Sequence, residues 1–230
     1  MCGILGYYNT KSSLSKTIFK NSLNKISHRG PDGSGIFNEG NLLLGHRRLS
    51  IIDLSENANQ PFLSGSGKAC IVFNGEIYNY ESIKGGILKT RTSSDTEVLL
   101  EGFLSEGPTF LKKIRGIYAF CIYDFRQEPK LYLFRDTGGI KPLYYYHQGE
   151  EFVFASEIKC ILPLLKNKPH INEDIVKKYI HLGYCPEPET VYQGIRALIP
   201  GQLMIINLSN GIIQREQINQ YNFDNISSSD

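Results

Sequence analysis

Cys2 follows Met1 directly, and it is the residue of this chain whose place and type most clearly promise chemistry. A small side chain in second position favours removal of the initiator methionine. Cys2 then carries a thiol and a free α-amine on one residue. An α-amine titrates near ~8, so about a tenth of it is neutral at pH 7. It can take the proton from a thiol a few ångströms away, one of the recognised ways to activate a weak nucleophile. The other cysteines are Cys70, Cys121, Cys160 and Cys185. Cys70 and Cys121 lie inside apolar runs and read as small core residues. No cysteine or histidine pair has metal-ligand spacing, so no metal site is expected. An odd, widely spaced set of thiols fits a reducing compartment, and a cytoplasmic location is expected.

Positioning a terminal nucleophile requires a rigid frame, and the chain reads as many short strands with a few helices. Residues 4–8 form a first strand. Leu14, Ile18, Phe19, Leu23 and Ile26 share one face of a helix over 14–27. The segment 29–33 is turn chemistry. Strands follow at 42–47 and 69–74, with Asn74-Gly75 suited to a hairpin turn. Ser94 and Glu97 have capping-box spacing and open a helix whose apolar side is Val98, Leu99, Leu100, Phe103 and Leu104. Strands at 117–125, 130–134, 143–147 and 151–155 read as an antiparallel meander. Asn172 caps a helix to about Leu182, a late strand covers 203–208, and a polar tail at 226–230 frays. Strand-rich and helical blocks interleave, which predicts an α+β layered domain.

Several segments, in order, resemble one family. They are Met1-Cys2-Gly3, Ser27-His28-Arg29-Gly30-Pro31-Asp32, His46-Arg47-Arg48-Leu49-Ser50-Ile51-Ile52-Asp53, Asn74-Gly75-Glu76-Ile77-Tyr78-Asn79 and Ser93-Ser94-Asp95-Thr96-Glu97. Arg135-Asp136, Gly139-Ile140-Lys141-Pro142-Leu143, Ala155-Ser156-Glu157 and Gly183-Tyr184-Cys185-Pro186-Glu187-Pro188 continue the match. Together they resemble the glutaminase domain of class II glutamine amidotransferases, and within it the glutamine-hydrolysing asparagine synthetases. The resemblance implies a four-layer αββα sandwich of two antiparallel sheets, the N-terminal-nucleophile hydrolase fold. It implies attack by Cys2 on the side-chain amide of L-glutamine, with an oxyanion hole from the Asn74 amide and the Gly75 N–H. It also implies that Arg48 grips the α-carboxylate, that Asp95 and Glu76 meet the α-ammonium, and that Leu49, Ser50, Ile51 and Ile52 line the pocket, mostly through backbone. His28 and His46 are not assigned as bases, since the α-amine fills that role.

The remaining features set limits. At 230 residues with 41% hydrophobic and 21% charged residues, the chain suits a soluble globular fold. A net charge of +2 with no basic stripe speaks against nucleic acid. No apolar run is long enough to span a membrane. Ser64-Gly65-Ser66-Gly67-Lys68 lacks the first glycine and the final Ser or Thr of a phosphate loop and reads as a hairpin loop. The pyrophosphate loop of synthetase domains is absent, so no cofactor is expected in this chain. ATP and magnesium belong to a synthetase domain of ATP-pyrophosphatase type, the expected partner, and a homodimer is compatible with the sequence. The glutaminase domain is expected over 1–208, with 209–230 leading toward the synthetase. Gly138 departs from the family pattern and is expected to loosen its loop, and Gly85-Gly86 to interrupt a helix. The alternatives are the glutaminase of another class II amidotransferase, amidating a sugar or glycan precursor, or a non-catalytic glutamine-binding regulatory module.

Overall fold

The computed structural model describes residues 1–87 and 90–218, apart from the side chains of 86 and 87, and the polar tail at 226–230 lies outside the described residues. In chain order the strands are β1 (Gly3–Asn9), β2 (Gly33–Glu39), β3 (Leu42–Arg48), β4 (Phe62–Leu63), β5 (Ala69–Ile77), β6 (Gly116–Asp124), β7 (Lys130–Arg135), β8 (Tyr144–Gln148), β9 (Glu151–Ala155), β10 (Ile195–Ala197), β11 (Gln202–Asn207) and β12 (Ile213–Gln217). The helices are α1 (Lys16–Asn24), α2 (Tyr80–Ile87), α3 (Asp95–Glu106), α4 (Ile158–Ile161) and α5 (Glu173–Leu182).

The strands form two six-stranded sheets, ordered β10-β8-β9-β1-β3-β2 and β12-β11-β7-β6-β5-β4. Every pairing between named strands is antiparallel. Three apolar layers follow from the alternation of side chains along each strand. Ile4, Leu44, Val72, Cys121, Leu133 and Phe154 fill the space between the sheets. Ile71, Phe73, Phe120 and Phe134 face the other way, onto Leu99, Leu100 and Phe103 of α3. Leu5, Leu43 and Val153 pack outward against Phe19 and Leu23 of α1 and Cys160 and Ile161 of α4. The result is the αββα sandwich, and Cys70 and Cys121 are fully buried core residues as expected.

Several local readings need correction. The four strands read as one meander are two hairpins in different sheets, because residues 136–143 carry the chain from one sheet to the other. Asp136 ties that crossover, accepting from Ile140 N–H at 2.9 Å and from Lys141 N–H at 3.0 Å. Gly138 therefore sits in a braced loop, not a loosened one. Helix α1 is shorter than 14–27 and leaves Ile18 exposed, while Phe19, Leu23 and Ile26 are buried. The helix α2 runs through Gly85 and Gly86. Strand β2 was hidden by its glycines: Gly35 packs so closely on β4's approach that a Cβ would lie 2.2 Å from the Gln60 carbonyl. The sheet also continues past residue 208 through β12.

Two readings hold in detail. Asn172 caps α5, its Oδ1 accepting from Ile175 N–H at 3.4 Å, and Gly183 closes it in the left-handed region at φ 77°. The segment at Ser64 is the β4–β5 hairpin, with Gly67 at φ +69° and its N–H on Ser64 O at 2.9 Å.

Candidate active site

Beyond the last inter-sheet core residues, Ile4 and Val72, the sandwich opens into a cavity of about 90 Å³. Cys2 enters it from the start of β1. Arg48, Leu49, Ile51, Ile52 and Asp53 come from the end of β3 and the loop that follows. Strand β5 supplies Phe73, Asn74, Gly75 and Glu76, the start of α3 supplies Asp95, and the crossover supplies Lys141.

The Leu49 peptide holds the thiol. Its N–H donates to Cys2 Sγ at 3.4 Å, and the thiol lies 3.6 Å from the Leu49 carbonyl. The carbonyl of Cys2 accepts from Arg29 Nε at 2.9 Å, and Arg29 is anchored by Glu157 at 3.1 Å. Burial raises the Cys2 pKa, while the Leu49 N–H, the charge of the chain's N-terminus and Arg48 pull it down. The net effect is upward, so the site does not hold a ready-made thiolate and attack requires a base. His46 is not that base. It is fully buried, burial pushes its pKa down to about 3, and its Nε2 is 3.0 Å from the Phe73 carbonyl. His28 is exposed and paired with Glu157 at 2.9 Å.

Asn74 and Gly75 are not a hairpin turn. They lie inside β5, opposite Ala119 and Tyr118 of β6. Strand β4 pairs only as far as Ile71, so beyond it β5 has an open edge. Alternation then decides which backbone groups face that edge. Phe73 N–H points there and donates to Gln60 Oε1 at 2.6 Å, and Ile77 N–H donates to Asp95 Oδ2 at 3.0 Å. Gly75 lies between them in the same phase, so its N–H faces the cavity. Tyr118, its neighbour, spends its own N–H and C=O on Asp136. Gly75 must be glycine, since a Cβ would lie 2.3 Å from the Ile117 carbonyl. The Asn74 side chain is fully buried, and neither its Nδ2 nor its Oδ1 has a hydrogen-bond partner. Buried amides are ordinarily satisfied. An unsatisfied donor beside an edge-facing N–H and a thiol is equipment for holding an oxyanion.

Two charges of opposite sign complete the cavity. The Arg48 guanidinium is buried and oriented by the loop: NH1 donates to Ser55 O at 2.8 Å and to Asn59 Oδ1 at 2.7 Å, and NH2 donates to Asp53 O. It has no carboxylate partner among the described residues. The Asp53 carboxylate latches the same loop to the approach of α3, accepting from Ser93 N–H at 3.1 Å. Asp95 is the first residue of α3 and nearly buried. Burial pushes its pKa up to about 6, against hydrogen bonds from the Ile77 and Thr96 N–H groups, with Glu76 adding to the rise. Only half of the expected capping box forms. Ser94 Oγ accepts from Glu97 N–H at 3.3 Å, whereas the Glu97 carboxylate binds Thr92 and Arg91 instead of returning to Ser94.

Of the residues expected from sequence, Cys2, Arg48, Leu49, Ile51, Ile52, Asn74, Gly75, Glu76 and Asp95 all line the one cavity. Ser50 does not; its N–H turns away to Asp32 Oδ2 at 2.8 Å. Lys141 and Gln60 were missed. Lys141 stood in a quoted motif, but only the crossover's path brings it to the cavity. Gln60 has no sequence signal, because its role is to bond a backbone group of a strand it does not adjoin in sequence. Among the described residues, no group of His, Cys, Asp or Glu could hold a metal and no helix is long and apolar enough to cross a membrane.

Comparison with known proteins identifies the family. The family described as the glutamine amidotransferase domain matches residues 1–219. The chain is 37% identical over 215 residues to glutamine-hydrolysing asparagine synthetase 1 of Bacillus subtilis strain 168, covering 90% of this chain and 33% of that protein. It is 37% identical over 174 residues to glutamine-hydrolysing asparagine synthetase B of Escherichia coli K12, covering 72% of this chain and 31% of that protein. The chain thus spans about a third of the length of these two relatives. Among solved structures, the glutamine phosphoribosylpyrophosphate amidotransferase of B. subtilis superposes with a TM-score of 0.68 at 22% identity, over 96% of this chain and 50% of that one, and so shares the fold. A thiol at the second residue, an orphaned amide in the same cavity and a match over nearly the whole chain lead to one statement: the chain belongs to the glutamine amidotransferase domain family.

Proposed function

We propose that the chain hydrolyses the side-chain amide of L-glutamine to L-glutamate and ammonia, with Cys2 as nucleophile. The observation that carries this reading is the fully buried Asn74 amide, left without partners in the cavity that the Cys2 thiol also lines. Arg48 and Asp95 offer the cation and anion that a zwitterionic amino acid needs, with Glu76 beside Asp95. Loss of Met1 frees the α-amine of Cys2, which accepts the thiol proton. The thiolate attacks the amide carbon, and the oxyanion is held by the Asn74 Nδ2–H and Gly75 N–H. The amine returns the proton to the leaving nitrogen, ammonia departs, and water cleaves the thioester on Cys2 to glutamate.

The ammonia is destined for ATP-dependent asparagine synthesis from aspartate, performed by a partner synthetase domain of the kind the longer relatives' names imply. ATP and magnesium act in that partner. The test measures glutamate and asparagine with and without the partner domain. This chain alone releases glutamate and makes no asparagine; with the partner, asparagine forms. Asparagine made by residues 1–230 alone contradicts the reading, as does full glutaminase activity in protein whose intact mass still includes Met1.

A further inference from the structure

The nucleophile and the oxyanion hole sit on different sheets. Cys2 precedes β1 of one sheet, and Asn74 and Gly75 belong to β5 of the other. Their separation therefore depends on the spacing between sheets, which is set by apolar contact across the layer and, elsewhere, by hydrogen bonds from Tyr8 Oη to the Leu208 carbonyl at 2.7 Å and from Arg135 NH1 to the Leu198 carbonyl at 2.8 Å. Apolar side chains set a spacing but tolerate slippage; a hydrogen bond fixes one backbone group against another.

We propose that His46 is a positioning residue that sets the oxyanion hole against the nucleophile. This rests on the glutaminase reading above. His46 lies on β3, directly opposite Ile4 of β1, two residues from Cys2. Its side chain crosses between the sheets, and Nε2 reaches the carbonyl of Phe73 at 3.0 Å. A carbonyl only accepts, so Nε2 carries the proton. That carbonyl belongs to the peptide unit whose nitrogen is Asn74's. The same residue's N–H is held by Gln60 Oε1 at 2.6 Å. Phe73 faces the open edge of β5, where no strand holds it, so His46 and Gln60 together replace the missing neighbour. Asn74 cannot be located by its own side chain, which bonds nothing.

Two further features separate this arrangement from ordinary core packing. His46 is 0% exposed and its Nδ1 has no partner, a cost to stability that an apolar residue would not carry. The imidazole also stays neutral across the range in which enzymes work, burial having depressed its pKa to about 3, so the strut is permanent.

The experiment compares steady-state glutamine hydrolysis in wild type, His46→Leu, His46→Asn and His46→Gln, each checked for folding by thermal melting. Leucine removes the donor. Asparagine keeps a polar group too short to reach Phe73. The glutamine amide nitrogen can occupy the place of Nε2. In His46→Leu and His46→Asn, kcat falls about 10–100-fold while KM stays within about threefold, the expected cost of a small misplacement. His46→Gln recovers kcat to within about fivefold of wild type. If His46→Leu does not fold, the comparison of Asn with Gln carries the test alone. Unchanged kcat in the Leu or Asn variant overturns the proposal, and so does an equal loss in the Gln variant or an effect confined to KM. Failure of the glutaminase reading is separately visible, because wild type would then release no glutamate.

Discussion

Replacing Asn74 by leucine should make the protein more stable and nearly inactive. The side chain is fully buried with both polar atoms unpartnered. An unsatisfied buried polar atom costs about 1–3 kcal/mol, and an apolar group of similar shape removes that cost. Leucine keeps the branch at Cγ, and its larger methyls extend toward the cavity that Asn74 lines. Allowing for some crowding, the net gain is about 1–3 kcal/mol. At about 2–4 °C per kcal/mol for a domain of this size, Tm rises by roughly 2–12 °C. Turnover should fall by about 10²–10³, the usual effect of deleting one oxyanion donor, with Gly75 N–H sustaining the remainder. Thermal unfolding and a glutamate-release assay on the same sample give both numbers. A lower Tm would show that the amide is satisfied by a structural partner. An unchanged kcat would remove it from the reaction. Either result contradicts an oxyanion role for an unsatisfied amide, which requires stability and activity to move in opposite directions.

Asp95, with a pKa near 6, should make glutamine binding depend on pH: only the carboxylate attracts an ammonium, so affinity is full above about pH 6 and is lost as pH falls through it. KM for glutamine measured from pH 8 to 5 should rise toward tenfold per unit at the acid end, and a flat profile would exclude the role. Arg48→Ala should weaken glutamine binding by about 2–5 kcal/mol, since it removes a desolvated cation that the 53–59 loop holds ready; calorimetric titration of the variant with glutamine checks this, and an unaltered affinity would count against it. Gly75→Ala should destabilise the fold by about 1–3 kcal/mol and also lower kcat, because its Cβ would meet the Ile117 carbonyl at 2.3 Å and push β5 from β6; an alanine variant with wild-type Tm and turnover would contradict the close approach.

The sequence made the chemistry more legible than the frame. Cys2, Arg48 and Asp95 could be read from residue type and ordered motifs, and the cavity gathers them. Two sheets followed from the resemblance, but the assignment of strands to them did not, because local alternation says that a segment is a strand without saying which sheet receives it. Hence β6 through β9 looked continuous, although the loop at 136–143 changes sheets. Asn74-Gly75 looked like a turn because the pair is locally suited to one. The long pairing with β6, a tertiary contact, keeps it extended. His46 carried no assigned role. Its bond to Phe73 joins residues 27 apart in sequence and on different sheets, which no local pattern announces.

The proposed reaction requires Cys2, freed of Met1, to attack the glutamine amide. Its most direct test is to incubate the protein with a diazo-ketone analogue of glutamine and map the adduct by peptide mass spectrometry. One label per chain is expected, on Cys2 as the N-terminal residue, prevented by excess glutamine and absent from Cys70, Cys121, Cys160 and Cys185. Label on any of those four, or none on Cys2 in protein lacking Met1, would contradict it.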